Sequence, residues 1–402
     1  MTRLNTLLKS SRPWIAVVPA TISAIYVTHE QESSGCKGLI PISAFLYQSL
    51  SEDKTPKTSI EFDTKASMPK RMEALILRLQ DEICATIEAV DGKKFHEDKW
   101  EREGHGGGGR SRIIQDGNVF EKAGVGVSII HGKLPPAAVK QMTERGKDIQ
   151  ERPEGVPFYA CGISLVMHPH NPMAPTIHHN YRYFEVETGY FDKDGKPEKI
   201  GWFGGGADLT PSYLFEEDAR HFHAVYKTQL DKRDPELYPK YKKTCDEYFY
   251  IPHRQEGRGI GGIFFDDLTN TSEENFQMVR HCASSMLDAY VPILKKRKDL
   301  PFTKQQKEWQ QMRRGRYVEF NIMYDRGTKF GLLTPGSRVE SILISLPLTA
   351  RWEYMHQPAS GSWEEKTIEV LKNPVDWLNV PEVDLETLST GELLKELARR
   401  SE

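Results

Sequence analysis

The 402-residue chain carries 54 Lys and Arg against 57 Asp and Glu, a net charge of −3. That balance gives no global basic field, so composition supplies no case for nucleic acid as a partner, and the length is enough for one large domain or two ordinary ones. The five cysteines (Cys36, Cys84, Cys161, Cys245, Cys282) are widely spaced with no C-x-x-C. Neither a zinc ribbon nor a disulfide framework is indicated, and a reducing setting with unpaired thiols is expected.

Residues 1–30 carry Arg3, Lys9 and Arg12 ahead of the first acid, Glu30, and are rich in Ser and Thr. The apolar run at 14–27 is short for a membrane span and contains Pro19. A basic, acid-poor leader of this kind predicts mitochondrial targeting. The hydrophobic run behind it also fits sorting to the intermembrane space, with a secretory signal or a cytoplasmic location as the competing readings. Any membrane association is expected to be at the surface only. Residues 31–66 read as a polar linker, and 67–402 as a single folded domain. Ser67 and Pro69 open a helix in which Met72, Leu75, Ile76, Leu79, Ile83, Ile87 and Val90 keep helical spacing. Residues 91–103 are charged and expected to be exposed.

The run HGGGGRSR (105–112) lacks the Gly-Lys-Ser/Thr of a phosphate loop and predicts a flexible or close-approach loop beside a site. Short strands are expected at 111–116, 119–122 and 125–131, with turns at Asp116-Gly117 and Gly124, then a helix at 135–146. The next stretch, CGISLVMHPHNPMAPTIHHNYRYFEV (161–186), brings His168, His170, His178 and His179 close to Arg182. Three prolines exclude a helix. It reads as a strand (162–167), a polar loop and a second strand (176–187). In the second strand Tyr181, Tyr183 and Glu185 share one side, and Arg182, Phe184 and Val186 the other. An arginine on a strand with largely apolar neighbours is costly to bury without an anion, which points to a pocket for an acidic ligand.

Further on, WFGGGADLTP (202–211) leads into a predicted helix at 212–230 with Asp208 or Thr210 as its cap. Helices are also expected at 240–250, 273–295 and 303–313. Gly257, Gly259 and Gly262 match G-x-G-x-x-G by letter, but an apolar strand (263–265), ended by Asp266 and Asp267, follows where a helix should begin. Residues 317–324 and 330–333 read as strands, 325–327 and 335–338 as turns, and 339–346 as a third apolar segment. Asp325, Arg326 and Arg338 therefore fall at strand ends, where sites are usually built; local capping is the alternative for the first two. Beyond 361 the chain reads as polar and helical, with Leu385, Leu388, Leu393, Leu394 and Leu397 offering a packing or partner face.

Several long strings, among them GISLVMHPHNPMAPTIHHNYRYFE, WFGGGADLTPSYLFEEDARHFH, RGIGGIFFDDL and TPGSRVESILISLPLTARWEYMH, give the chain a specific resemblance to the oxygen-dependent coproporphyrinogen III oxidases, over about 68–380. The resemblance implies an α+β fold, a large antiparallel sheet flanked by helices on both faces, and a homodimer joined through about 317–353. It implies haem biosynthesis: coproporphyrinogen III and O2 give protoporphyrinogen IX, two propionates being oxidatively decarboxylated to vinyls. O2 is the co-substrate, with no metal or organic cofactor.

Residue by residue, the resemblance makes His178 a proton donor, Asp325 the carboxylate that holds pyrrole nitrogens, and Arg182 the third catalytic residue. It makes Ser164, Asn180, Tyr181, Arg182, Gly336, Ser337 and Arg338 substrate-binding. His168, His178, His223 and His253 match positions that bacterial relatives use for a divalent metal, which leaves a metal-dependent oxygenase as a rival. A non-catalytic porphyrin binder is the second rival, but it would need the arginines and not the acid and His together. Thr244, His170, His179, Arg110 and Arg112 depart from the usual family pattern.

Overall fold

The structure is a computed structural model that describes residues 59–102, 106–144, 146–333 and 337–379, all within one compact unit. The leader, most of the predicted linker, Gly336 and the leucines at 385–397 lie outside the described residues. A seven-stranded antiparallel sheet runs in the order β1 (His96–Glu101), β2 (Gly107–Gln115), β3 (Phe120–Leu134), β4 (Val156–Pro169), β5 (Thr176–Phe191), β6 (Pro197–Thr210), β9 (Gly262–Leu268). A two-stranded ribbon, β7 (Tyr250–Ile251) and β8 (Glu256–Gly257), stands apart from it. The first six strands of the sheet form a meander, each paired with its neighbour in sequence.

Register decides what each face carries, because directly paired residues project to the same side. One row reads Asp98, Ser111, Gly126, Ser164, Asn180, Gly206, Phe264. The alternate residues form the other face: Val125, Val127, Ile163, Leu165, His179, Tyr181 and Tyr183 are all buried. That apolar face is covered by α1 (Met68–Asp91), whose Gln80 Nε2 donates to the carbonyls of Arg110 and Val125. It is also covered by α5 (Glu273–Ser284), where Phe276 meets Phe203. α3 (Glu216–Asp231) and α6 (Met286–Arg297) complete that side, and α2 (Pro136–Glu144) follows β3. The polar face is covered in part by α4 (Leu237–Tyr248), α7 (Lys304–Met323) and a short α9 (Val339–Ile342) with the 3-10 turn after it. Tyr248 stacks on Phe264, Tyr317 meets His168 edge-on, and Ser341 Oγ lies 3.0 Å from Ser111 Oγ. The sheet is thus flanked on both faces, as an α+β fold requires.

Several local expectations are corrected. Residues 96–101 form the edge strand β1, and the glycine run belongs to β2 rather than to a loop. The run does allow close approach: a Cβ on Gly109 would lie 2.3 Å from the Trp100 ring. β3 runs unbroken through Gly124, where a Cβ would fall 2.4 Å from Ile344, so that glycine makes room for a neighbour rather than a turn. Asp208 and Thr210 lie inside β6, and the following helix starts only at Glu216. The 273–295 helix is two helices that meet at Ser285.

The helix begun at Thr303 by a full capping box with Gln306 continues to Met323, so 317–324 is not a strand. Over those eight residues a period of 2 and a period of 3.6 fit about equally. The longer pattern of Trp309, Met312, Tyr317 and Phe320, all buried, decides for the helix. Residues 326–333 are likewise helical, α8 (Arg326–Leu333). A last helix, α10, spans Trp363–Lys372. Cys84, Cys161, Cys245 and Cys282 are buried and unpaired, and no helix among the described residues is long and apolar enough to cross a membrane.

Candidate active site

The polar face of the sheet is paved with glycine. Gly126, Gly162, Gly204 and Gly206 sit on the rows that carry Ser164, Asn180 and Arg182. A Cβ on Gly126 would meet nothing nearer than the Ser164 carbonyl at 3.8 Å, so the space above it is open. The result is a floor of low relief in which glycines alternate with Ser164, Asn180 and Arg182. Arg182 lies across it: a Cβ on Gly204 would fall 2.7 Å from the guanidinium carbon. Its Nη1 donates to Asn180 Oδ1 (2.8 Å) and its Nη2 to Asp266 Oδ1 (2.7 Å), and the side chain remains 36% exposed. A guanidinium fixed by two neighbours but open to solvent suits a carboxylate ligand.

Two same-face positions back along β5, beyond Asn180, His178 Nδ1 lies 2.7 Å from Asp208 Oδ1. Asp208 Oδ2 accepts from Arg258 Nη2 at 2.7 Å, and Asp208 and Arg258 are 1% and 2% exposed. The Arg258 guanidinium is sandwiched by aromatic rings, 4.0 Å from Phe249 and 4.6 Å from Tyr317, which replaces part of its lost hydration. Burial opposes ionisation of Asp208, but Arg258 and then His178 outweigh it and hold the carboxyl below its ordinary value. A charged Asp208 fixes the Nδ1–H tautomer of His178 and leaves Nε2 for proton exchange with a ligand.

Asp325 does what the local reading expected and something more. Its Oδ2 accepts the Thr328 backbone N–H (2.6 Å), capping α8, while its Oδ1 accepts Tyr248 OH (3.0 Å). Tyr248 belongs to the groove wall through Phe264, and Arg326, 4.8 Å above the Tyr248 ring, reaches Asp266 Oδ2 at 3.2 Å. Asp325 is therefore linked by short contacts to the same acid that holds Arg182.

The remaining predicted positions divide. Ser164 and Asn180 pair directly and share the groove floor. Tyr181 does not share it: the side chain points to the opposite face, is 0% exposed and packs on His179 and Phe265. An odd position in β5 cannot reach the ligand side except by its backbone. Arg338 ion-pairs with Asp98 on the edge strand β1, in the same row as Asn180 and four strand spacings away, about 19 Å. Ser337 precedes it, half-buried; Gly336 lies outside the described residues. His168 donates to the Ser345 carbonyl and accepts from Thr176, His223 bonds Tyr238 and the Ile260 carbonyl, and His253 bonds Tyr324 and Glu319. Among the described residues no three His, Cys, Asp or Glu side chains converge as a metal site. Of the departures, Arg110 and Arg112 pair with Asp81 on α1, on the face away from the groove, and His170 bonds the Gly117 carbonyl.

Asp208, Arg258, Asp266 and Tyr248 escape a sequence reading. A signal for Asp208 does exist: GWFGGGADLT read as one strand puts that acid in phase with the glycines and out of phase with Phe203 and Leu209.

Comparison with known proteins identifies the family. The coproporphyrinogen III oxidase family model matches residues 71–377. An oxygen-dependent coproporphyrinogen-III oxidase of Drosophila melanogaster is 51% identical over 365 residues, 89% of this chain and 90% of that protein. The mitochondrial enzyme of that name from Homo sapiens is 58% identical over 313 residues, covering 77% of this chain and 67% of its own length. Coproporphyrinogen-III oxidase 1, chloroplastic, of Arabidopsis thaliana is 53% identical over 330 residues, 82% of this chain and 83% of that protein. A glycine-floored groove with an anchored arginine and a carboxylate-held histidine lies wholly within the matched span, and the chain belongs to the oxygen-dependent coproporphyrinogen III oxidase family.

Proposed function

We infer that the chain is an oxidoreductase of haem biosynthesis that converts coproporphyrinogen III to protoporphyrinogen IX with O2. The observation that carries the site assignment is the anchored Arg182 above the glycine floor, two same-face positions along β5 from the His178–Asp208 pair. A flexible tetrapyrrole with four propionates needs a broad, nearly flat floor and cationic anchors at separated points. Arg182 on β5 and Arg338, which pairs with Asp98 on β1, belong to strands four spacings apart, about 19 Å, and fit two such anchors, with Ser164 and Asn180 between them and Ser337 beside the second. Asp325 supplies the carboxylate for the inward pyrrole N–H groups. At each reacting ring the propionate loses CO2 and a hydride equivalent from the carbon next to the ring: ring–CH2–CH2–CO2⁻ + O2 + H⁺ gives ring–CH=CH2 + CO2 + H2O2. His178 handles the proton.

No metal or organic cofactor is part of this proposal. The enzyme is placed in the mitochondrion, as the names of the human, rat and mouse relatives suggest for them; the basic leader with its apolar run favours the intermembrane space. Exposed Ile322, Met323, Leu333, Trp352 and Met355 support a homodimer through about 317–353.

The test is turnover of chelator-stripped protein with coproporphyrinogen III, with and without O2, beside Asp325→Asn. Asn keeps the helix cap and the Tyr248 contact but removes the charge. Protoporphyrin formed only with O2, and lost in the variant, is expected. Activity that returns only with added metal overturns the cofactor assignment, and near-normal turnover in Asp325→Asn overturns the role of that acid.

A further inference from the structure

Asp266 touches both sides of the groove. Its Oδ1 accepts from Arg182 on the sheet (2.7 Å) and its Oδ2 lies 3.2 Å from Arg326 at the start of α8. The backbone is irregular just beyond it. β6 and β9 slip register between Phe203 and Gly205, which face Leu268 and Phe265, so β9 holds one extra residue at this point. Asp267, in the bulge, has φ 54°, a left-handed conformation that a non-glycine residue adopts at a cost. Alternation from Phe264 already places Asp266 on the groove face, and in the bulge that follows the Asp267 N–H (3.0 Å) fixes its Oδ1.

We propose that Asp266 is a positioning residue that fixes Arg182 and the Asp325-bearing helix α8 as one unit, and so sets where the substrate propionate lies relative to the pyrrole that reacts. The proposal rests on the reading of Arg182 as a propionate anchor. Asp266 does not use up that anchor. Asn180 and Asp266 each take one N–H of a guanidinium that has five. Asp266 is shared between Arg182 and Arg326, so it does not occupy Arg182 alone. Burial opposes the ionisation of Asp266, but Arg182 and then Arg326 keep its carboxyl below the ordinary range, so the bridge stays charged at neutral pH. Arg326 is thus held in turn, and Asp325, the adjacent residue, is carried with it.

Steady-state kinetics with coproporphyrinogen III on Asp266→Asn, Arg326→Gln, their double variant and an Arg182→Gln control test this. Asp266→Asn is near-isosteric and is expected to raise KM about tenfold, the scale of one lost charge-assisted hydrogen bond, and to lower kcat as well. Arg326→Gln is expected to lower kcat with KM little changed, because Asp266 still holds Arg182. The double variant is expected to be no worse than Asp266→Asn, since the arginine acts through the acid. Wild-type kinetics in Asp266→Asn, no change in Arg326→Gln, or a double variant whose loss is the product of the two single losses each overturns the proposal. If Arg182→Gln itself binds substrate normally, the fault lies in the propionate-anchor reading instead. Should Asp266→Asn fail to fold, the KM-against-kcat split of Arg326→Gln decides.

Discussion

Arg258 Nη2 and Asp208 Oδ2 meet at 2.7 Å beneath His178, both side chains almost wholly removed from solvent. A buried pair of this kind adds little net stability, but breaking it is expensive because the remaining charge has no partner, about 3–5 kcal/mol. Asp208→Ala is therefore expected to fold poorly. Asp208→Asn keeps the shape and a polar contact but loses the charge that orients His178. It should fold with a lowered melting temperature and lose about 10²-fold or more of its turnover. Thermal denaturation and turnover on the same sample check this; full activity in a folded Asp208→Asn contradicts the orienting role.

Two glycines of the same floor should respond in opposite ways. Gly126→Val adds a side chain into open space, with the Ser164 carbonyl 3.8 Å from the new Cβ. The fold should be retained and substrate binding should weaken, read as a raised KM at an unchanged melting temperature. Gly206→Ala puts its Cβ 2.2 Å from the Ile263 carbonyl in the neighbouring strand. That variant should lose stability first, by about 1–3 kcal/mol. If Gly126→Val binds substrate normally, the groove is not where the tetrapyrrole lies.

Acid should unfold this protein early. His168, His179 and His223 are fully buried, and burial holds each at about 3. Their unfolded value is about 6.5. A lowered folded value means the unfolded chain takes up the protons first. Their contribution is complete above about pH 6.5 and is lost as pH falls from there toward 3. Three protons give a slope of up to about 4 kcal/mol per pH unit. Glu121, held at about 2 because Arg314, its hydrogen bonds and Lys307 outweigh burial, adds a loss below about pH 4.5. Urea midpoints should be flat between pH 7 and 8 and fall steeply between 6.5 and 5. A flat profile down to pH 5 contradicts the burial of these rings.

His179 deserves its own experiment. Neither ring nitrogen has a protein hydrogen-bond partner, and the ring is 0% exposed against Tyr181. Each buried polar atom without a partner costs about 1–3 kcal/mol. His179→Phe keeps a ring of similar size on the face away from the groove. It is expected to raise the melting temperature, to flatten the acid limb by one proton, and to leave kcat and KM unchanged.

Much of the fold was legible because it is written in short-range pattern. β4 and β5 extend the predicted strands at 162–167 and 176–187 to Val156–Pro169 and Thr176–Phe191, and the alternation in β5 separates Arg182 from Tyr181 correctly. That same alternation argued against Tyr181 as a side-chain ligand, since Arg182 and Tyr181 cannot both face one groove. Asp325 at a turn was legible as a cap and as a site residue, and it caps α8. The glycine run was misread because glycine is common in loops, whereas here small size lets β2 approach Trp100.

What the sequence determined by itself is therefore the family, through its long matching strings, and the strand-rich class with His178, Asn180 and Arg182 concentrated on one strand. The strands follow from a period that spans only a few residues. The tertiary structure alone decided the partners: Asp208 for His178, 30 residues on; Arg258 for Asp208, another 50; and Asp266 for Arg182, across 84. Those contacts depend on strand register, on a bulge at Asp267 and on which helix covers which face. Such choices are made by the summed packing of the whole chain, and no local window of sequence contains them.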